Sequence, residues 1–192
     1  MSKTFHFIFE IVKIVVIALV IVLPIRFFIF QPFFVKGESM EPNFENGDYL
    51  IIDEISYRFR QPERGEVIVF KYPNNPSQLF IKRVIGLPGE TVSIKDNQIT
   101  IIKDSKTQVL SEKNYLSPSL KTWGDMQVVL GNNEYFVMGD NRPFSYDSRR
   151  FGILPKDDII GRVFLRAWPI NSASAFTPPI YNFLQENPAS SG

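Results

Sequence analysis

A run of apolar side chains near the amino end constrains this chain first. Residues 11–30 hold only two charges, Lys13 and Arg26, and residues 14–25 hold none. About 20 such residues match the hydrocarbon thickness of a bilayer, and a backbone there must close its hydrogen bonds within one helix. Lys13 and Arg26 sit where they can snorkel to headgroups, and Pro24 is tolerable in a spanning helix. A buried core helix fits less well, because the run is apolar on every face. A cleaved export signal fits less well too, because Pro24-Ile25-Arg26-Phe27-Phe28 contains no small-x-small cleavage site. The expectation is an uncleaved anchor at 11–30. Lys3, Lys13 and Arg26 flank both ends, so charge orients it only weakly. A short tail, 1–10, would stay in the cytoplasm while the rest is exported.

Composition then excludes whole classes of chemistry. The 192 residues carry 21 basic and 20 acidic side chains, so no broad positive footprint for nucleic acid exists. The chain has no cysteine and one histidine, His6. Thiol catalysis, disulfides and thiolate metal sites are therefore absent, and a zinc hydrolase lacks its ligands. The expectation is an enzyme with no cofactor and no metal. His6 precedes the apolar run, so it would lie across the membrane from everything after residue 30. Neither a Ser-x-x-Lys nor a Gly-x-Ser-x-Gly motif occurs.

Beyond Gln31 the pattern is short β-like runs broken by turns, in keeping with 14 prolines and 11 glycines. Strands are expected at 49–52, 67–70, 80–85, 91–94, 99–102, 127–130, 134–138 and 159–167, with hairpin turns at Asp96-Asn97 and Gly131-Asn132-Asn133. The domain would span 31–170, with a more polar subdomain inserted at about 90–130. Residues 171–192, rich in Ser, Asn, Ala and Pro, are expected to be a flexible tail.

Three blocks offer chemistry. Ser39 lies in Gly37-Glu38-Ser39-Met40-Glu41-Pro42, where glycine permits close backbone approach and proline fixes the turn. Such a loop tip can present a hydroxyl beside free amides, although a serine in a Gly/Pro loop is more often structural. A serine nucleophile must hand its proton to a base, and with imidazole unavailable another group has to serve. Lys82 and Arg83 are adjacent on an expected strand, so they point to opposite faces. One of them faces inward unless the strand is a twisted edge. A lysine among Phe80, Ile81, Val84 and Ile85 would be desolvated, its pKa lowered, and its neutral amine able to act as a base. Arg83 would add a smaller like-charge contribution. Taken alone, this lysine also reads as an edge-strand cation. The third block, Gly139-Asp140-Asn141-Arg142-Pro143-Phe144-Ser145-Tyr146-Asp147-Ser148-Arg149, crowds carboxylates, guanidiniums and hydroxyls into one loop. It reads as a self-bonded turn network, from which Ser145 could reach an active-site amine.

In this order, and behind an apolar anchor, the blocks resemble bacterial type I signal peptidase, the membrane-bound serine endopeptidase of the Ser–Lys type. Gly47-Asp48-Tyr49-Leu50 and Gly86-Leu87-Pro88-Gly89-Glu90 extend the match. The resemblance implies a mainly antiparallel β fold with one amino-terminal membrane helix, shared with self-cleaving repressors. It implies Ser39 as nucleophile, Lys82 as general base and Ser145 orienting the lysine amine. Arg83, Asp140, Asp147 and Arg149 would buttress the site, and the Ser39 amide would supply one oxyanion donor. Met40, Phe80 and Ile81 are candidates for the pocket that takes the substrate residue before the cut. Exported preproteins with small-x-small motifs would be the substrates and the lipid bilayer a partner. The enzyme would act as a monomer in the plasma (cytoplasmic) membrane, crossing it once, with its catalytic domain on the extracytoplasmic side. Three positions depart from the family pattern. Asn43 stands where Thr or Ser is usual, Gly37 where some members carry a second oxyanion hydroxyl, and Pro143-Phe144 where polar residues are usual. A self-cleaving repressor would carry a helical DNA-binding segment in place of the apolar run. A catalytically impaired assembly or binding protein would be marked by loss of Ser39 or Lys82, and both are present.

Overall fold

The computed structural model describes residues 3–28, 30–181 and 183–185; among these, the side chains of residues 5–20 and 31–181 are described. Helix α1 (Lys3–Phe28) comes first. Among the described residues no helix is long and apolar enough to cross a membrane. The span expected at 11–30 falls only partly within the described side chains, and those of residues 5–20 are all exposed.

Thirteen strands follow among the described residues: β1 (Phe30–Phe34), β2 (Tyr49–Asp53), β3 (Val67–Tyr72), β4 (Asn75–Gly86), β5 (Thr91–Lys95), β6 (Gln98–Lys103), β7 (Lys106–Leu110), β8 (Met126–Val129), β9 (Glu134–Met138), β10 (Leu154–Pro155), β11 (Ile159–Trp168), β12 (Ser174–Ala175) and β13 (Phe183–Gln185). A one-turn helix, α2 (Ser148–Phe151), precedes β10. The first sheet runs β1-β2-β11-β3-β4-β9-β10, with β12 on β11, and the second runs β13-β7-β6-β5-β8. Every pairing is antiparallel, so the chain is mainly β in the sense expected.

Strand β3 explains why its sequence reads as one apolar run. Val67 and Val69 point into a cluster with Met40, Phe44, Leu50 and Ile81, while Ile68 and Phe70 point into another with Val84, Tyr135 and Val137. A strand buried on both faces has no polar alternation to keep. A third cluster, with Ile85, Phe136 and Met138 from the first sheet and Val92, Ile94, Ile99 and Ile101 from the second, joins the two.

All eight expected strands are present. Strands β1, β7, β10, β12 and β13 escape the pattern. Pro32 hides β1, yet among the described residues β1 lies at the edge of the sheet beside β2, the position in which strands tolerate proline. Asp96 and Asn97 both have positive φ, 51° and 62°, as a two-residue hairpin turn demands. Asp104 and Ser105 do the same between β6 and β7. Gly131-Asn132-Asn133 is a turn but not a hairpin, because it joins β8 in one sheet to β9 in the other. Within the expected carboxy-terminal tail, β12 pairs with β11 and β13 with β7. Phe176 between them packs on Phe44. Residues 186–192, like 1–2, lie outside the described residues.

Candidate active site

The loop between β1 and β2 places Ser39. Gly37 takes φ +88°, the left-handed region open to glycine, and its amide donates to Asn46 Oδ1 at 3.0 Å. A Cβ at Gly37 would meet nothing within 4 Å. A hydroxyl-bearing side chain there is therefore disfavoured by the strained backbone conformation rather than by lack of space. The loop is pinned from the block after β9: Asn141 donates its amide to the Ser39 carbonyl (3.1 Å) and its side chain to the Glu38 carbonyl (3.0 Å).

Strand β4 places the cations. Lys82 and Arg83 do point to opposite faces, and both are buried, at 4% and 1% exposure. Lys82 Nζ lies 2.7 Å from Ser39 Oγ and donates to the Ile81 carbonyl at 2.9 Å. Burial drives its pKa down to about 8, against the opposing pull of the Asp147 and Asp140 carboxylates. Arg83 does not supply the smaller like-charge contribution expected of it. On the other face its guanidinium grips Asp140 through Nε (2.8 Å) and a terminal nitrogen (2.5 Å), and also reaches the Gly65 carbonyl at 2.9 Å. Removing one partner of such a fully buried pair typically costs about 3–5 kcal/mol. Asn43 also donates to Asp140, at 2.8 Å, so this departure from the family pattern keeps a hydrogen-bond donor on the carboxylate.

Asp147 is fully buried. Burial alone would raise its pKa, but the Arg149 guanidinium (2.9 and 2.8 Å) and the Gly139 amide (3.0 Å) hold it below the ordinary value. Ser145 is buried at 3% exposure beside Gly139. Its hydroxyl makes no hydrogen bond of ordinary geometry among the described residues, although it is close enough to help keep Asp147 ionised. It does not hydrogen-bond Lys82.

An open groove of about 750 Å³ runs over the serine and lysine, lined by Pro32, Phe33 and Phe34 of β1, Leu79, Phe80 and Ile81 of β4, and Phe144 and Tyr146. Phe80 and Ile81, two of the candidates for the substrate pocket, line this groove. Met40 does not: it is fully buried in the core with Phe44 and Leu50. Phe144, at the departure Pro143-Phe144, is 75% exposed on the groove.

Sequence reasoning missed the supports contributed by the segment between β7 and β8. Glu112 and Thr122 bind the fully buried Arg142. The Tyr115 ring lies 4.2 Å from the Arg83 guanidinium, and the Trp123 ring 5.0 Å from that of Arg149. Arg83, Arg142 and Arg149 therefore all rest on that segment. Chemically, a hydroxyl touching a dehydrated amine, in the floor of an apolar groove open to an extended peptide, suits acyl transfer.

The family model described as signal peptidase, peptidase S26, matches residues 8–168. Signal peptidase I of Leptolyngbya laminosa is 40% identical over 176 residues, covering 88% of this chain and 83% of that protein. Signal peptidase IB of Staphylococcus aureus is 34% identical over 190 residues, covering 90% and 93%. The crystal structure of a signal peptidase I from Enterococcus faecalis V583 aligns with 54% of this chain and 97% of that chain, at 34% identity and a TM-score of 0.45. With the family model matching most of its length, the chain belongs to the signal peptidase family, peptidase S26.

Proposed function

We propose that the chain is a membrane-bound serine endopeptidase that removes signal peptides from exported preproteins, with Ser39 as nucleophile and Lys82 as general base. The observation that carries this reading is the 2.7 Å contact between Ser39 Oγ and a Lys82 amine that is 4% exposed. The neutral amine takes the Ser39 proton as Oγ attacks the scissile carbonyl, then delivers it to the leaving amine. Water follows the same route in reverse to release the acyl group. The Ser39 amide, which donates no hydrogen bond among the described residues, is the first oxyanion donor. Asp147 and Asp140 fix the Arg149 and Arg83 guanidiniums, and through them the loop that pins Ser39. Ser145 Oγ does not hydrogen-bond the amine in the resting enzyme, so Ser145→Ala should slow turnover without abolishing it, as measured by kcat on a peptide.

A peptide lying extended along β1 and β4 turns alternate side chains toward the enzyme, so positions −1 and −3 from the cut face the floor together. Phe80 and Ile81 leave that floor apolar and shallow, which favours small residues there. The test is cleavage of a preprotein in detergent, with the wild type compared with Ser39→Ala. An Ala-x-Ala precursor should be processed by the wild type alone, and versions with Phe or Lys at −1 should lose at least about 10²-fold in kcat/KM. Efficient cutting of the Phe version would contradict the assignment of the floor.

The same reading makes residues 11–30 the anchor, 1–10 a cytoplasmic tail, 31–170 the extracytoplasmic domain with 90–130 inserted, and 171–192 a tail. It places a monomer in the plasma membrane. Support comes from α1, whose described side chains are all exposed, Phe7, Ile14 and Val20 each by about two-thirds. Apolar helical side chains that their own chain leaves uncovered suit a lipid environment.

A further inference from the structure

Phe144 presents a large apolar side chain to solvent beside the dyad, on a backbone that is firmly held. It ends the single turn Arg142–Phe144, which contains Pro143, and its amide donates to the Asn141 carbonyl at 3.1 Å. Beneath the turn, the buried Arg142 guanidinium is gripped by Glu112 and Thr122, and the Arg142 carbonyl accepts from Arg149 at 2.7 Å. Among the described residues no other ring packs on Phe144. Tyr146, two positions on, continues the same wall and is braced. Its hydroxyl accepts from Tyr72 at 3.3 Å, its ring lies 6.1 Å from Phe151, and Tyr72 stacks on Phe80 at 4.7 Å. An apolar side chain fixed in water at the edge of a groove gains when a ligand covers it.

Lys82 sets which part of a substrate arrives there. Its amine returns the proton to the leaving nitrogen, so the chain after the cut departs past Nζ. The Ser39 amide, which faces the scissile carbonyl oxygen, belongs instead to the loop that follows β1. Ser145, buried next to Phe144 in sequence, comes from the loop that closes over the dyad at Gly139, and Lys82 Nζ lies 5.5 Å from the Phe80 ring of the same aromatic wall. We propose that Phe144, backed by Tyr146, is a specificity-determining residue for the part of the substrate after the cut, taking an apolar or aromatic side chain at position +1 or +2. The inference rests on the peptidase reading above and adds a choice that small residues at −1 and −3 do not make. Those two positions face the floor at Phe80 and Ile81, whereas Phe144 stands on the wall.

The test uses the full chain in detergent and preproteins that share one Ala-x-Ala site. One set carries Ala, Phe or Asn at +1, and a second set carries them at +2. For the wild type, kcat/KM should favour Phe over Asn by about fivefold at one of the two positions, the size of one partly exposed aromatic contact. Phe144→Asn should bring that ratio close to one, while Phe144→Tyr should keep it. The preference for Ala over Phe at −1 should be the same in all three enzymes. Because each ratio is read within one enzyme, a partly misfolded variant lowers every substrate together and leaves the ratio interpretable. A ratio that survives in Phe144→Asn overturns the inference. So does a change confined to −2 or −3, which would put Phe144 on the acyl side. A wild type that processes the preproteins without preference at +1 and +2 overturns it and leaves the peptidase reading standing. Failure to cut any preprotein overturns both.

Discussion

Ser39→Ala and Lys82→Ala should each remove nearly all turnover, on the order of 10⁴-fold or more in kcat, while the domain still folds. The reason is geometric and electrostatic together. The base in reach of Ser39 Oγ is the amine 2.7 Å away, and the chain's single histidine is His6, on α1. An ordinary lysine, at about 10.4, is neutral in only a few molecules per ten thousand at pH 7. At about 8, Lys82 is neutral in roughly a tenth of them. Burial thus raises the fraction of competent base by a few hundredfold. Because the two side chains act as one unit, the double variant should be little slower than either single one. Full activity in Lys82→Ala would remove the lysine from the mechanism.

Gly139→Ala should be nearly as damaging, although residue 139 carries no functional group. A Cβ on Gly139 would collide with the Ser39 carbonyl oxygen and with the Ser145 side chain. The first is backbone and cannot swing aside. It is also the oxygen held by the Asn141 amide at 3.1 Å, so displacing it loosens the pin on the nucleophile's loop. A shift of about 1 Å in a reacting group can cost 10²-fold, and that loss in kcat/KM is expected. The thermal unfolding midpoint should fall by only the few degrees that overpacking of about 1–3 kcal/mol produces. Wild-type kcat/KM in this variant would mean that the contact between the two loops does not position Ser39.

How much of the fold and site is legible in the sequence varies with the range of the interaction. Strands β2 to β6 announce themselves through local runs of apolar residues. The opposite facing of Lys82 and Arg83 follows from strand geometry alone. The lack of a histidine beyond His6 makes the lysine conspicuous from composition alone. Pro32 conceals β1 because whether a strand lies at an edge is a property of the sheet. Met40 looks like a pocket residue because it follows Ser39, yet the turn through Pro42 carries it into the core with Val35 and Phe44. Glu112, Tyr115 and Thr122 are invisible for a different reason. They lie in a polar, irregular segment, and their partners Arg83 and Arg142 are 20 to 32 positions away in the chain. Local periodicity carries no information about such pairs.

The central claim is that desolvation turns Lys82 into a base, and the dependence of kcat/KM on pH for a peptide substrate tests it most directly. Protonated Lys82 cannot accept the Ser39 proton, and the burial that lowers its pKa outweighs the opposing Asp147 and Asp140 carboxylates. In the free enzyme, activity should therefore fall about tenfold per pH unit below an apparent value near 8 and level off above it. A profile still climbing at pH about 10 would mean a solvated lysine, and would contradict the account.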